Sequence, residues 1–242
     1  MPLDVSTTFL SGLQRLPINS DEQGRVIEQF VLYRRELLDW NTRMNLTAIT
    51  EPDEVLIKHF LDALSLLLAF DHEQAHVLDI GSGAGFPGIP LKIVRPQWRV
   101  TLLEATGKRI NFLRHIIAML QLDGIDVVQG RAEEIGRKDE YRAAFDLVTA
   151  RAVAALPVLL EYCAPFCRLN GTILLPKKGQ LADELIRGKR AASQLGVMLE
   201  ANVAVDLPGL TDGRRLLVWK QQKLCSARFP RSGAAIAKRA LA

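Results

Sequence analysis

The segment Val77-Leu-Asp79-Ile-Gly81-Ser-Gly83-Ala-Gly85-Phe86-Pro-Gly88 constrains the fold of this 242-residue chain more than any other. A short apolar run leads into closely spaced glycines, and a helical pattern follows them. This order is typical of doubly wound α/β folds, where ligands bind beside such turns because glycine lets backbone N–H groups approach closely. The motif predicts a cofactor loop, although a tight turn without a ligand is the alternative interpretation.

Short apolar runs alternate with helical patterns from His76 onward. Seven runs predict strands: Val77–Ile80, Val100–Leu103, Val127–Val128, Phe145–Val148, Thr172–Leu175, Met198–Val205 and Leu216–Trp219. The repeated strand–helix–strand order predicts an α/β, Rossmann-like fold whose seven-stranded, mainly parallel sheet is covered by helices on both faces. Residues 75–224 would form this domain.

Residues 1–74 are predicted to form an N-terminal helical extension packed on that domain. A first helix is expected from a capping box at Ser20 and Gln23 to about Trp40, and a second after Pro52. At the other end, residues 225–242 are predicted to form a basic tail. It contains Arg228, Arg231, Lys238 and Arg239 without an acidic residue. Such a tail either contacts a polyanion or is merely solvated.

The composition places the chain among ordinary globular proteins, with 48% hydrophobic and 24% charged residues. No apolar stretch reaches the roughly 18 residues that a membrane helix needs. Asp4 precedes the first basic residue, Arg15, so the start lacks the order of a secretory signal. Three cysteines cannot form a disulfide framework. We therefore expect a cytoplasmic protein, and the net charge of +4 is compatible with a polyanionic partner.

The residues around the glycine turn favour S-adenosylmethionine over a dinucleotide. Phe86 occupies the position where a dinucleotide fingerprint requires Gly or Ala. Glu104 ends the second predicted strand, where a carboxylate accepts hydrogen bonds from both ribose hydroxyls of an adenosine. Ala132 and Glu133 follow the third strand, where they would meet the adenine edge. Phe86 would line the pocket or belong to the core, and Glu133 would otherwise be a solvated acid at a helix start.

The methyl acceptor is predicted from the end of the fourth strand, which carries Arg151. The Asn/Asp-Pro-Pro-aromatic run of amino-group methyltransferases is absent there. Cys163 and Cys167 lie too far along, on a predicted helix, to serve a pyrimidine C5 enzyme. A ribose 2′-hydroxyl enzyme is only partly excluded, because Lys177 and Lys178 are available.

Guanine N7 fits this site because its lone pair needs orientation and no general base. We therefore assign no catalytic residue. Arg151 would pair with the methionine carboxylate or with a substrate phosphate, unless it is a surface residue.

A zinc-protease pattern, His-Glu-x-x-His, occurs at His72–His76. It runs directly into the first predicted strand, so the two imidazoles are not expected to share a helical face. We predict no metal site.

The chain resembles the RsmG family of bacterial small-subunit rRNA guanine-N7 methyltransferases, formerly called glucose-inhibited division protein B. The shared motifs are Trp40-Asn41, Asn45-Leu-Thr47, His59-Phe-Leu-Asp62, Asp79 to Pro90, Leu103-Glu104, Gly107-Lys108-Arg109, Arg131-Ala-Glu133-Glu134, Ala150-Arg151-Ala152 and Lys178-Gly179. The resemblance implies a monomeric, cytoplasmic enzyme that uses S-adenosylmethionine and methylates one guanine of 16S rRNA.

The cofactor contacts implied by the resemblance fall on Gly81, Phe86, Ala132, Glu133 and Arg151. To these we add Gly83 and Glu104 from the chemistry above. The candidates for holding RNA or shaping the site are Asn45, His59, Asp62, Arg109, Lys178, Arg228 and Arg231. The first three alternatively form a buried cluster that docks the N-terminal helices.

Two other functions remain open: a small-molecule methyltransferase and a noncatalytic RNA- or cofactor-binding protein. A basic rim around the cofactor mouth would favour RNA, and an apolar lid would favour a small molecule.

Overall fold

The computed structural model describes residues 5–241. Asp4, used above in the secretory-signal argument, and Ala242, the end of the predicted tail, lie outside the described residues. The described chain is built around one sheet of seven strands. They are β1 (His76–Ile80), β2 (Arg99–Glu104), β3 (Ile125–Gln129), β4 (Phe145–Ala150), β5 (Cys167–Lys177), β6 (Val197–Ala204) and β7 (Arg215–Gln221).

The strand order is β3-β2-β1-β4-β5-β7-β6. All neighbours are parallel except β7, which is antiparallel to both β5 and β6. The predicted seven-stranded, mainly parallel sheet is therefore confirmed. The carboxyl ends of β1 to β5 meet at one edge, and β7 starts at that same edge, where Arg215 pairs with Lys177.

Helices cover both faces of the sheet, as predicted. They are α1 (Thr7–Leu13), α2 (Gln23–Met44), α3 (Pro52–Val55), α4 (Asp62–Leu64), α5 (Gly88–Val94), α6 (Gly107–Met119), α7 (Ala132–Ile135), α8 (Leu156–Cys163), α9 (Ala182–Leu195) and α10 (Gly233–Lys238). A π-helical stretch, Leu56–Leu61, joins α3 to α4, and a 3₁₀ turn, Ser65–Leu68, follows α4. Segments of π-helix inside longer helices are frequent at functional sites.

The first long helix, α2, differs at both ends from its prediction. A 3₁₀ turn, Ser20–Glu22, precedes α2, and Asn19 caps this turn, because its side chain accepts a hydrogen bond from the N–H of Asp21 at 3.1 Å. The predicted capping box at Ser20 and Gln23 does not form, since α2 itself has no side-chain cap. At the other end α2 runs to Met44 and stops at Asn45, whose φ of 50° is left-handed.

Two apolar cores lie on opposite faces of the sheet. One packs Val77, Leu102 and Leu147 of the strands against Phe30 and Phe60 of the N-terminal helices. The other packs the opposite strand faces against α8 and α9. The N-terminal helices thus share a core with the sheet, and the predicted boundaries 1–74, 75–224 and 225–242 stay a prediction.

Cys163 and Cys167 do not share a helix, so that part of the prediction is wrong. Cys163 ends α8 and Cys167 begins β5, because Pro165 between them cannot continue a helix. Burial raises the pKa of the Cys163 thiol, and it raises that of Cys167 to about 12. Neither thiol is a nucleophile near neutral pH.

Across residues 5–241, the structure contains no helix with both the length and the apolar character that crossing a bilayer requires.

Candidate functional site

A cavity of about 520 Å³ opens at the carboxyl edge of the sheet, between the loops that follow β1 to β4. Its size is within the range of roughly 300–1,000 Å³ of small-molecule and cofactor sites. The structure brings all seven predicted cofactor residues to its wall: Gly81, Gly83, Phe86, Glu104, Ala132, Glu133 and Arg151. Arg109 and His59, predicted as RNA or site-shaping residues, also line it.

The glycine loop at the floor of this cavity requires its glycines. Gly81 has a φ of +69°, and a Cβ there would lie 2.7 Å from Cγ2 of Val153. Gly85 has a φ of +94°, and a Cβ there would lie 2.5 Å from the Tyr33 hydroxyl. That hydroxyl donates a hydrogen bond to the carbonyl of Ala84. The N-terminal helix α2 therefore holds the loop directly.

Asp79 lies beneath the loop and was not among the predicted site residues. Its Oδ2 accepts a hydrogen bond from the N–H of Gly88 at 2.9 Å, and the Ser82 hydroxyl donates to its carbonyl at 2.9 Å. The side chain is fully buried, and this burial raises the pKa of the carboxyl to about 7. Its Oδ1 has no hydrogen-bond partner within the described chain. The sequence signal for this residue is that Asp79 is the one acidic residue within the apolar run Val77–Ile80.

Glu104 is held by the backbone before any ligand binds. Its two oxygens accept from the N–H of Gly83 at 2.9 Å and from the N–H of Thr106 at 2.8 Å. The side chain is 4% exposed, and the Arg109 guanidinium lies 3.9 Å from Oε2. A carboxylate has about four acceptor positions, so it can still accept from a ribose diol.

Phe86 is both a core residue and part of the cavity wall. It is 4% exposed, and its ring lies parallel to that of Tyr33 at 5.4 Å and within 18° of the His59 ring at 4.8 Å. The Arg151 guanidinium carbon lies 5.0 Å from the centre of the Phe86 ring. Phe86 therefore belongs to the core and also lines the cavity, which were the two alternative interpretations of this residue. It joins the N-terminal helices to the cavity.

A charged cluster surrounds Asp62 beside the cavity. Nη1 of Arg151 lies 2.7 Å from Oδ2 of Asp62, and Arg214 pairs with the other carboxylate oxygen. The side chains of Arg151 and Arg214 are only 17% and 15% exposed. Arg214 precedes β7 and was not predicted, because nothing in the sequence shows that β7 begins at this edge of the sheet.

His59 belongs to the same cluster and is neutral at neutral pH. Burial, assisted by the positive charge of Arg151, lowers its pKa to about 4. Nδ1 lies 3.3 Å from Nη2 of Arg151, which can only donate, so Nδ1 accepts. Nε2 then carries the proton and donates to Oγ1 of Thr47 at 2.7 Å.

A second cavity of about 460 Å³ adjoins the first. The two share His59, Arg151, Ala152 and Ala154. The second cavity is lined by more cationic than acidic side chains. The five cations are Lys58, Arg151, Lys177, Lys178 and Arg214, and the two acids are Asp62 and Glu184.

One of the two acids of the second cavity, Glu184, is ionised. Lys177 lies 2.8 Å from it, and the N–H of Leu156 also donates to it. Burial opposes its ionisation, but these hydrogen bonds outweigh burial and lower its pKa.

Three predicted residues line neither cavity. Asn45 is an exposed helix cap, and it is Asn41 whose side chain bonds both backbone groups of Thr47 at 2.9 Å. Arg228 is exposed with its guanidinium over Phe229. Arg231 is paired with a buried glutamate of α8. The RNA roles assigned to these residues stay predictions.

The two histidines of the zinc-protease pattern are not on one helix, because His72 lies in a loop and His76 begins β1. Among residues 5–241, no group of three or more His, Cys, Asp or Glu side chains is placed to hold a metal ion.

Comparison with known proteins identifies a family and a fold. The family model described as rRNA small subunit methyltransferase G matches residues 26–211. Ribosomal RNA small subunit methyltransferase G of Roseiflexus sp. (strain RS-1) is 46% identical over 215 residues, which cover 89% of this chain and 92% of the relative. The protein of that name from Dehalococcoides mccartyi (strain BAV1) is 44% identical over 229 residues, covering 94% and 96%.

Solved structures that are similar at low identity support the fold alone. Fibrillarin of Aeropyrum pernix, in complex with S-adenosyl-L-methionine, superposes with a TM-score of 0.51 at 15% identity, covering 66% of this chain and 73% of the other. TYW2 of M. jannaschii, in complex with AdoMet, gives a TM-score of 0.50 at 19% identity, covering 64% and 72%.

Proposed function

The chain belongs to the rRNA small subunit methyltransferase G family, and from that premise we propose that it transfers a methyl group from S-adenosylmethionine to N7 of one guanine in 16S rRNA. The observation that carries this proposal is the second cavity, which shares Arg151 and His59 with the glycine-loop cavity. A guanine in the second cavity would meet the methyl group at this common wall.

The charge of the second cavity favours RNA over a small-molecule acceptor. Its five cations outnumber its two acids, and Lys58 and Lys178 among them line its wall. Lys and Arg beside a base-binding cavity are the usual contacts to the phosphate backbone of a nucleic acid. The small-molecule interpretation predicts an apolar lid over the cavity. Among the described residues, charged side chains line the second cavity instead.

The side chains at the common wall favour an acceptor atom that carries no proton. His59 is neutral, and both ring nitrogens are engaged, with Thr47 and Arg151. Glu184, which lines only the second cavity, is paired with Lys177. Guanine N7 presents a lone pair in the plane of the ring, so transfer needs orientation and no deprotonation.

The glycine-loop cavity provides groups suited to each part of S-adenosylmethionine. When bound, this cofactor supplies an electrophilic methyl group on a sulfonium sulfur. Glu104 would bind the ribose hydroxyls, and the Ala132 N–H and the Glu133 carboxylate would bind the adenine edge. Arg151 would pair with the methionine carboxylate, for which its guanidinium has donors beyond those directed at Asp62 and His59.

The stacking of Phe86 on His59 holds these two side chains of the site in position. Because Phe86 also touches Tyr33, the cavity wall is continuous with α2. Holding reactants in the right geometry can lower a reaction barrier by roughly 7–11 kcal/mol.

The test is methyl transfer from labelled S-adenosylmethionine to small ribosomal subunits that lack the modification, followed by nucleoside analysis. We expect label in 7-methylguanosine, at one position of 16S rRNA. Gly81→Val serves as the control that should bind no cofactor. Label in another nucleoside would refute N7, and cofactor binding without any transfer would favour a small-molecule acceptor.

We further propose that the protein acts as a cytoplasmic monomer, as the resemblance to the family implies. Light scattering on the purified chain tests the monomer, and a mass of about twice 26.9 kDa would contradict it.

A further inference from the structure

The C-terminal segment, residues 225–241, packs against the body of the protein beside Glu133, a residue of the glycine-loop cavity wall. Phe229 and Leu241 are 2% and 8% exposed and belong to the core beneath α8 and α9. Arg142 donates to the carbonyls of Cys225 at 3.0 Å and Phe229 at 2.8 Å. These contacts fix the path of the segment over the body of the protein.

An ion pair anchors the middle of this segment. Arg231 donates to Glu161 from Nε at 2.8 Å, from Nη2 at 2.6 Å and from its backbone N–H at 2.9 Å. The Glu161 side chain is fully buried on α8. Its neighbour in the chain, Tyr162, lines the glycine-loop cavity. Fork-shaped pairs of this kind constrain geometry strongly because two parallel hydrogen bonds must be satisfied together.

Two residues beyond this anchor, Gly233 lies directly against Glu133. A Cβ added to Gly233 would lie 2.5 Å from Oε1 of Glu133 and 3.4 Å from its Cδ. Only a glycine allows this approach, although its φ is not left-handed. Glu133 therefore lines the glycine-loop cavity and also lies against the backbone of the C-terminal segment at Gly233.

We propose that Arg231 and Gly233 are positioning residues for the cofactor. The Glu161–Arg231 pair holds Gly233 in place, and Gly233 keeps the Glu133 carboxylate directed toward the adenine. This inference rests on the proposed function, because it takes Glu133 as an adenine contact. It gives the basic residue Arg231 a role in cofactor binding and removes it from the RNA contacts predicted above.

The test is Gly233→Ala, which separates positioning from folding. The added Cβ meets only the end of a flexible glutamate side chain, so Glu133 is displaced while the fold is retained. Alanine also favours helix α10 more than glycine does. We expect the Kd for S-adenosylmethionine, measured by titration calorimetry, to rise roughly tenfold, as when one hydrogen bond to a charged group is lost. The thermal midpoint should not fall.

Two further variants isolate the pathway. Gly24→Ala, in α2 with nothing within 4 Å of its Cβ, is the matched control and should leave the Kd unchanged. In a Glu133→Ala background, Gly233→Ala should cause no additional loss, because the contact that it disturbs is already gone. Binding of small ribosomal subunits should be the same for Gly233→Ala as for the unaltered chain.

An unchanged Kd for Gly233→Ala overturns the inference, as does a rise that persists in the Glu133→Ala background. Failure of the proposed function is visible separately, because the unaltered chain would then yield no 7-methylguanosine in the transfer assay, while the Kd comparison still tests the positioning of Glu133. An unaltered chain that binds no S-adenosylmethionine would refute both proposals.

Discussion

Glu104→Gln is expected to destabilise the chain even without a ligand. The carboxylate accepts one backbone N–H on each oxygen, from Gly83 and Thr106. Glutamine has the same shape but only one acceptor oxygen, so its amide must face one of the two N–H groups. Losing a hydrogen bond to a charged acceptor costs about 1.5–3 kcal/mol. For a chain of this size, the thermal midpoint should therefore fall by about 3–12 °C.

The same substitution should weaken cofactor binding. Ribose hydroxyls that donate to a carboxylate lose the charge of their acceptor, and one of them also meets an amide donor. We expect the Kd for S-adenosylmethionine to rise by about 10- to 100-fold, at ~1.4 kcal/mol per factor of ten. Calorimetric titration measures the Kd, and circular dichroism without cofactor measures the midpoint.

Glu134→Gln is the matched control, because Glu134 is an exposed acid one residue beyond the cavity wall. It should change neither quantity. The reasoning about Glu104 is refuted if Glu104→Gln keeps its midpoint and binds the cofactor as the unaltered chain does.

Three other substitutions test the surrounding cluster and loop. Burial raises the pKa of Asp79 from its ordinary 3.8 to about 7. The folded chain therefore holds a proton that the unfolded chain loses, and the free energy of unfolding declines as pH rises between those values. In Asp79→Asn this decline, up to ~1.4 kcal/mol per pH unit, should be absent from urea titrations. Asp62→Asn leaves two guanidinium groups without their carboxylate, and it should lower the free energy of unfolding by about 3–5 kcal/mol in the same titrations. A loss below ~1 kcal/mol is typical of an exposed ion pair, and it would contradict a buried charged cluster at Asp62. Gly81→Val should abolish cofactor binding, because the added side chain meets Val153. Its control is Gly213→Val, which has the same φ of +69° but open space around it, and which should bind S-adenosylmethionine normally despite its backbone strain. Equal binding by both variants would contradict the loop assignment.

The strands could be predicted from sequence because each is a short apolar run bounded by turn residues. The runs beginning at Val77 and Leu216 lie within observed strands. The short helices α1 and α10 were missed, since six or seven residues hold too few turns to show a helical period. The apolar pattern around Cys163 predicts a helix that includes Cys167, but Pro165 cannot continue the helix, and Cys167 begins β5.

The residues of the glycine-loop cavity could be predicted because they lie in the loops after strand ends, and parallel strands bring their ends together. Their roles in cofactor binding stay predictions. Contacts between distant parts of the chain left no such signal. Arg231 reads as part of a basic tail, yet its partner Glu161 lies 70 residues earlier. Arg214 and Asp62 are separated by the six strands β1 to β6, and only the strand order brings them together.

The reversed strand β7 has a consequence for how the protein is made. It inserts between β5 and β6, and its start carries Arg214 to the Asp62 cluster. A nascent chain that has emerged only as far as β6 therefore exposes the edge of β5, a strand of 11 residues. Open strand edges pair readily with other chains, so this is the stage at which synthesis is most prone to aggregation. Chains cut short before Arg214 would carry both an open sheet edge and an incomplete charged cluster.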